Sequence, residues 1–396
     1  MSSGSGLMRG RCLLILLLAV AVAPVAAEHS ISDWFNLSTV SEASWQLHAD
    51  PENENLLVIS PKIVMGSGEQ RNILVLFPKA SSAYDTAMNT LLGVFFDNQV
   101  QAEFTLFNFQ NNSNRGLAAL DHAESSSCDL VFSMGSQSTR FVYENYSGGQ
   151  LPVVSVCSKD PVLQGQVRDY EGGSGGNIAY TSLDAPVELQ LTYLLRLKKN
   201  LSQIAIVYAQ DNVSAVETQV KPMVAVAEKR GIQISHVVVE DQSRAGQELS
   251  DKMPQAVQKI RQIDPQQQQS VFWITGSTSV FQEIETIDRL AGKIPVLSVV
   301  PDIVRADDAS AVLSIGVSFE NNALKAGLYA LEILENNVKP GELEVGLVSP
   351  PDIAINFKKA REIGLTIPFS FFESASTLYD YEGQVVRYKG ERIYGE

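Results

Sequence analysis

The chain has 396 residues, 45% hydrophobic and 19% charged, with a formal net charge of −15. Its size and composition suit a globular protein of two or three domains, and the acidic excess repels phosphate backbones, so no nucleic-acid partner is expected. Three cysteines are too few for a disulfide scaffold, and four scattered histidines without CxxC or HExxH spacing supply no zinc site; no metal or cofactor is expected.

At the N-terminus, Arg9 and Arg11 precede an apolar run from Leu13 to Val22, followed by Ala23-Pro24-Val25-Ala26-Ala27. This pattern predicts a signal peptide over 1–27, cleaved after Ala27. The run falls short of the roughly 20 residues that a spanning helix needs. Cys12 lies before the run, wrongly placed for lipid attachment, so the mature chain is expected to be exported, in a bacterium to the periplasm, and not as a lipoprotein. Residues 28–71 form a polar N-terminal extension with one strand-like patch at Leu56–Ser60.

From Asn72 onward short apolar runs alternate with amphipathic stretches. The runs Ile73–Phe77, Phe104–Phe109, Leu130–Met134, Val153–Val156, Ile204–Tyr208, Ile234–Val239, Val271–Ile274, Val296–Val300 and Val312–Val317 are β-branched or aromatic and mostly lack polar alternation. That is how strands buried on both faces of a parallel sheet read. Helices are predicted from Asp184 to about Asn200, from Ser214 to Arg230 with a kink at Pro222, and over Ser279–Ala291 and Asn322–Glu335. Repeated strand–helix units predict doubly wound parallel sheets. The Gly-rich stretch Glu171–Asn177 divides them into halves over 72–181 and 182–310. A C-terminal tail, 379–396, has a turn candidate at Glu382-Gly383 between strand-prone residues.

In open parallel sheets ligands sit beyond the C-terminal strand ends. Here those ends carry small hydroxyl and amide residues with few charges, which suits a carboxylate or other small polar ligand held at helix N-termini, although the same residues are preferred helix caps. The expected ligand-binding set is Ser81, Ser82, Tyr84, Ser136, Gln137, Ser158, Asp160, Gln210, Gly276, Ser277 and Asp302. Tyr84 would offer an aromatic face, and Asp160 and Asp302 would receive an amino group from opposite lobes. Phosphate-binding glycine loops are absent from the sequence, Gly173-Ser-Gly-Gly reads as ordinary loop rather than as a G-x-S-x-G nucleophile elbow, and no His accompanies a nucleophile at a strand end. No catalytic residue is expected. Cys128 precedes one strand and Cys157 ends the next, which puts them on the order of 20 Å apart on parallel neighbours, too far for a disulfide.

The sequence resembles the ABC-transporter substrate-binding proteins of the tryptophan/phenylalanine-binding type, of the periplasmic binding protein type I fold. The resemblance rests on Pro350-Pro-Asp-Ile-Ala-Ile-Asn356 with Lys359-Ala-Arg-Glu-Ile-Gly-Leu-Thr-Ile-Pro368, on Asp160-Pro-Val162, on Gly175-Gly-Asn-Ile178 leading into Pro186-Val-Glu-Leu-Gln190, and on Ile315-Gly-Val317 leading to Ala326-Gly327. It covers about 72–378. It implies two α/β lobes joined by a three-crossing hinge, with 72–181 plus 313–340 forming lobe 1 and 182–310 plus 343–378 forming lobe 2. The loops depart from the family: Ala80–Tyr84 replaces its Glu-His-Pro region, Gly135-Ser136 its Thr-Pro, and Val300 its first Asp, with only Asp302 retained. The expected ligand is a small polar molecule, with an amino acid or a related compound among the candidates and an aromatic amino acid only one of them. The function implied is a non-enzymatic, monomeric periplasmic receptor that closes around its ligand and delivers it to an ABC permease of the inner membrane. The alternative is a ligand-sensing or accessory protein of the same fold acting on a sensor or enzyme partner without transport.

Overall fold

The computed structural model describes residues 32–66, 68–307 and 309–393, and the expected signal peptide lies outside them. Two sheets organise the chain. The first has seven strands, β1 (Trp45–Ala49), β2 (Leu56–Pro61), β3 (Arg71–Phe77), β4 (Ala102–Asn108), β5 (Leu130–Met134), β6 (Val153–Val156) and β7 (Ile178–Ala179), in the order β1-β2-β4-β3-β5-β6-β7. The second has nine, β8 (Gln203–Ala209), β9 (Gln233–Val239), β10 (Ser270–Ile274), β11 (Val296–Ser298), β12 (Leu313–Gly316), β13 (Asp352–Asn356), β14 (Thr377–Tyr379), β15 (Val385–Tyr388) and β16 (Glu391–Arg392), in the order β16-β15-β14-β13-β12-β11-β10-β8-β9.

The unbroken apolar runs have the expected cause. In β3 the alternate residues Ile73, Val75 and Phe77 enter one core, with Leu91 and Phe95 of the helix Ser82–Asp97, while Leu74 and Leu76 enter another, with Leu120 and Phe141 of the helices on the opposite face. A strand covered on both faces has no side left for polar residues.

The sheets are mostly parallel, as expected, with antiparallel strands added. The centre of each sheet is parallel, β4-β3-β5-β6-β7 and β9-β8-β10-β11-β12. Antiparallel pairs occur at β1-β2-β4, at β12-β13 and at β14-β15-β16. The N-terminal extension thus adds two strands to the first sheet. Its segment around Trp34 and Phe35 packs on Phe77, with Trp34–Phe77 ring centroids 5.4 Å apart in an edge-on arrangement. The tail extends the second sheet through the predicted turn.

Three connections join the sheets. The chain leaves β7 through Tyr180–Ala185, passes from β12 into the helix Phe319–Asn336, and returns to β13 through 337–351. The first and third are stitched together by Gly346 N–H to the Tyr180 carbonyl at 2.8 Å and Ser182 N–H to the Gly346 carbonyl at 3.0 Å. The expected return to lobe 1 at residue 313 comes later: β12 is held in the second sheet between β11 and β13, and the helix that follows packs on the first sheet's helix Ser82–Asp97. Gly327 permits that packing, since a Cβ there would lie 3.0 Å from Val94. The glycine-rich stretch 171–177 is not a loose linker. Gly175 N–H donates to the Gly341 carbonyl at 3.0 Å, and a Cβ on Gly341 would stand 2.4 Å from the Gly176 nitrogen. Glycine is required there because two backbones touch.

Candidate functional site

The C-terminal ends of β3, β5 and β6 face those of β8 and β10 across a cavity of about 40 Å³ lined from both sheets. Lys79, Ala83 and Tyr84 approach from the end of β3, Ser136 and Gln137 from β5, and Cys157 and Lys159 from β6; Asn212, Ser214, Gly276 and Thr278 come from the other sheet. Phe281 and Phe319, with centroids 5.9 Å apart, border this cavity and a larger one of about 390 Å³.

Local sequence sets each position. Cys157 adopts φ +53° at the end of β6, turning the chain so that Lys159 points across the gap. The Lys159 backbone N–H donates to Ser136 Oγ at 2.9 Å, and its ammonium donates to the Gly276 carbonyl on the opposite sheet at 3.0 Å. Gly276 N–H donates to Gln219 Oε1 at 2.8 Å, Gln219 Nε2 to Asp184 Oδ1 at 2.6 Å, and Asp160 N–H to Asp184 Oδ2 at 3.0 Å. A continuous polar chain therefore runs behind the cavity from one lobe to the other. Gln219 occupies it because residues 216–220 form a π-turn between the helical segments Val213–Ala215 and Lys221–Glu228. Pro222, expected to kink this helix, cannot donate to the carbonyl four residues back, and the wider turn lies immediately before it.

Burial pushes the Lys159 ammonium below its ordinary pKa; Asp184 opposes that shift and Lys79 adds to it. Lys79 is likewise lowered by burial, against the attraction of Asp211. Burial raises the Cys157 thiol, and the nearby charge of Asp302 raises it further. Cys128 and Cys157 are both free thiols, as their places on parallel neighbours predict.

The expected ligand residues divide into groups. Tyr84, Ser136, Gln137 and Gly276 line the small cavity, and Ser82 and Asp302 line the larger one. Tyr84 is only 7% exposed, edge-on to Phe77, and its hydroxyl lies where a Cβ on Gly135 (φ +81°) would stand, 2.1 Å away. Ser81, Ser158 and Ser277 are buried, and Gln210 is exposed; none of the four lines either cavity. Asp160 accepts from Tyr170 Oη at 2.6 Å and from the N–H groups of Val162 and Leu163, so its carboxylate closes a turn. Asp302 lies beside Phe319 N–H at 3.4 Å, and burial raises its carboxyl to about 6, with Asp352 and Glu320 adding to the effect. The two carboxylates do not meet in one cavity. Sequence reasoning missed Lys79, Lys159, Asn212 and Ser214, although they sit inside the strand-end segments it singled out. One signal was available for two of them: Lys79 and Lys159 are the basic residues of those segments. Gln219 and Phe319 had no local signal.

Among solved structures, this fold is shared with a conserved domain protein from Vibrio cholerae (TM-score 0.63, 19% identity, covering 78% of this chain and 100% of that one). It is also shared with a Streptococcus pneumonia ABC domain in complex with L-Trp (0.61, 18%, 78% and 100%), and with the open, ligand-free CD0873, a substrate binding protein with adhesive properties from Clostridium difficile (0.56, 20%, 76% and 96%). No curated protein sequence matches. These likenesses establish the periplasmic binding protein type I fold. The model of the ABC transporter substrate binding protein family matches residues 83–378, about three quarters of the chain. By that match, on a fold with a cavity enclosed by two lobes, the chain belongs to the ABC transporter substrate binding protein family.

Proposed function

We propose that this protein is an exported solute receptor that closes its lobes around a small molecule and presents it to an ABC permease. The observation that carries this reading is the cavity lined from both sheets and bridged by the Lys159–Gly276 hydrogen bond. A ligand at that position touches both lobes only when they are together, so its binding energy favours the closed arrangement. Three slender connections supply the hinge. Export rests on the leader pattern of residues 1–27 and on the family; among the described residues, no helix is long and apolar enough to cross a membrane. No side-chain arrangement described above forms a nucleophile–base pair, and the family is one of binding proteins.

The test is a thermal-shift screen of amino acids, organic acids, sugars and short peptides, followed by small-angle scattering on each hit. Amino acids belong in the screen because the pneumococcal neighbour holds L-Trp. A stabilising compound that reduces the radius of gyration is the expected result. A bound compound that leaves the dimensions unchanged would place binding on one lobe and remove the receptor reading. Secreted protein beginning at Glu28 is the expected outcome of N-terminal sequencing after expression with the native leader.

A further inference from the structure

We propose that the inter-lobe cavity is an oxyanion receptor in which Lys79 and Lys159 hold a small carboxylate- or phosphate-class ligand; this inference rests on the solute-receptor reading and specifies its substrate class.

The sign of the site is the first argument. The chain carries a net charge of −15, yet the cavity lining contains two lysines and no Asp or Glu. An acidic protein that brings two like cations together in a buried cleft does so against both desolvation and mutual repulsion. Lys159 is 5% exposed, and its ammonium, with three N–H donors, makes one hydrogen bond among the described residues, to the Gly276 carbonyl. Asp184, outside the lining, offsets part of the Lys159 charge through space, and Asp211 part of that of Lys79, but the hydrogen bonds of Asp184 go to Asp160 N–H and Gln219 Nε2 and not to the ammonium. A neutral carbonyl does not neutralise an ammonium, and an anion does. Such a charge-assisted bond in a poorly hydrated cleft is stronger than one at a surface.

The second argument comes from the backbone. The helices Ser82–Asp97 and Gly135–Tyr146 begin at this cavity, and neither has a side-chain cap at its N-terminus. Their first-turn residues Ala83, Tyr84, Ser136 and Gln137 line the space between the lysines. Uncapped helix N-termini present N–H groups and a partial positive charge to the same point that the ammonium groups occupy.

Third, the Lys159–Gly276 bond spans the two lobes, so it breaks when they open and leaves the ammonium free for an anion that enters before closure. The carboxylates expected from sequence to receive an amino group are elsewhere: Asp160 is committed to Tyr170 and its own turn, and Asp302 lines the larger cavity. The charge recognised at the lysines is the negative one.

Calorimetric titration of the full chain with acetate, succinate and inorganic phosphate, set against the neutral succinamide and the cationic putrescine, tests this. At least one of the anions is expected to bind and succinamide and putrescine are not. Lys159→Met is expected to weaken that binding at least ~10-fold, the scale of one charge-assisted hydrogen bond, and Lys159→Arg to recover part of it. Unliganded Lys159→Met loses the Gly276 bond together with a buried charge, so its melting temperature is recorded beside that of Lys159→Arg, and weakened binding counts for the assignment where the variant remains folded at the titration temperature. Lys79→Met checks the second cation in a separate variant, with the same direction expected. Binding of phosphate without succinate, or the reverse, identifies which oxyanion the site takes. Failure of all three anions, equal binding of succinamide or putrescine, or unchanged affinity in Lys159→Met would overturn the oxyanion assignment. A neutral or cationic compound from the wider screen that closes the lobes would overturn it while leaving the receptor reading standing; the absence of any lobe-closing compound would remove both.

Discussion

Asp302 shows how burial rather than sequence decides what a residue does. Its carboxyl is raised to about 6 by burial, with Asp352 and Glu320 adding repulsion and Phe319 N–H giving partial relief. The folded protein therefore holds a proton there that the unfolded chain has released above its ordinary value near 4. Between about pH 4 and 6 the folded state binds more protons, so stability falls as pH rises through that window, by on the order of 2 kcal/mol for a group with some solvent contact. Asp302→Asn keeps an acceptor for Phe319 N–H and removes the titration. The variant is expected to melt above the parent at pH 7 and to match it at pH 4. Parallel melting curves across that range would show that Asp302 stays ionised.

At the scale of elements, the C-terminal segment that carries the family resemblance works as a clamp. The helix Phe357–Ile363 follows β13 and is capped by the Asn356 side chain, which accepts from Lys359 N–H at 2.8 Å. Lys359 pairs with Asp288 on the helix Ile284–Ala291, and both side chains are largely buried, 14% and 7% exposed. Burial raises the Asp288 carboxyl, and Lys359 counters it. Removing one partner leaves a buried charge, so Lys359→Met is expected to cost about 3 kcal/mol, read as a loss in denaturant midpoint. Adding Asp288→Leu is expected to restore most of that loss, because an apolar pair of similar size incurs no desolvation penalty. A double variant as unstable as the single one would show that the pair's own attraction dominates.

The whole molecule is larger than the family pattern, which ends at residue 378. The tail closes the second sheet: β15 pairs with β14, and Arg387 Nη1 donates to the Phe372 and Ala375 carbonyls at 2.7 and 2.9 Å. Truncation after Asp380 uncovers the β14 edge, and exposed strand edges template aggregation. The truncated protein is expected to melt at least ~5 °C lower and to scatter light at concentrations where the full chain is clear. An unchanged melting temperature would make the tail a passive addition. At the other end, Asn36, Ser38 and Asn89 tie the N-terminal segment to the helix Ser82–Asp97, with Ser38 N–H to Asn89 Oδ1 at 2.9 Å, so this addition extends the first lobe, whereas Lys389 of the tail pairs with Glu320 on the helix Phe319–Asn336.

How much of this was legible follows from how far apart the interacting residues are in sequence. Runs such as Leu130–Met134 disclose their burial because both faces of a strand are written in consecutive residues, and Pro222 discloses a break because its effect reaches only the preceding turn. The two-lobe α/β fold, the separate thiols and the family were therefore readable from the chain alone. The antiparallel edges were legible only as local signals, the strand patch Leu56–Ser60 and the turn at Glu382-Gly383, since the partners of such strands are chosen through backbone groups that every residue carries. The sign of the site was not readable either. Serine, tyrosine and aspartate at strand ends look equally suited to a ligand, but tertiary packing covers Tyr84 beneath Gly135, ties Asp160 to Tyr170 and turns Lys159 across the cleft to Gly276. Which charges remain available depends on partners brought from distant strand ends, and only the folded structure decides which of them have been satisfied.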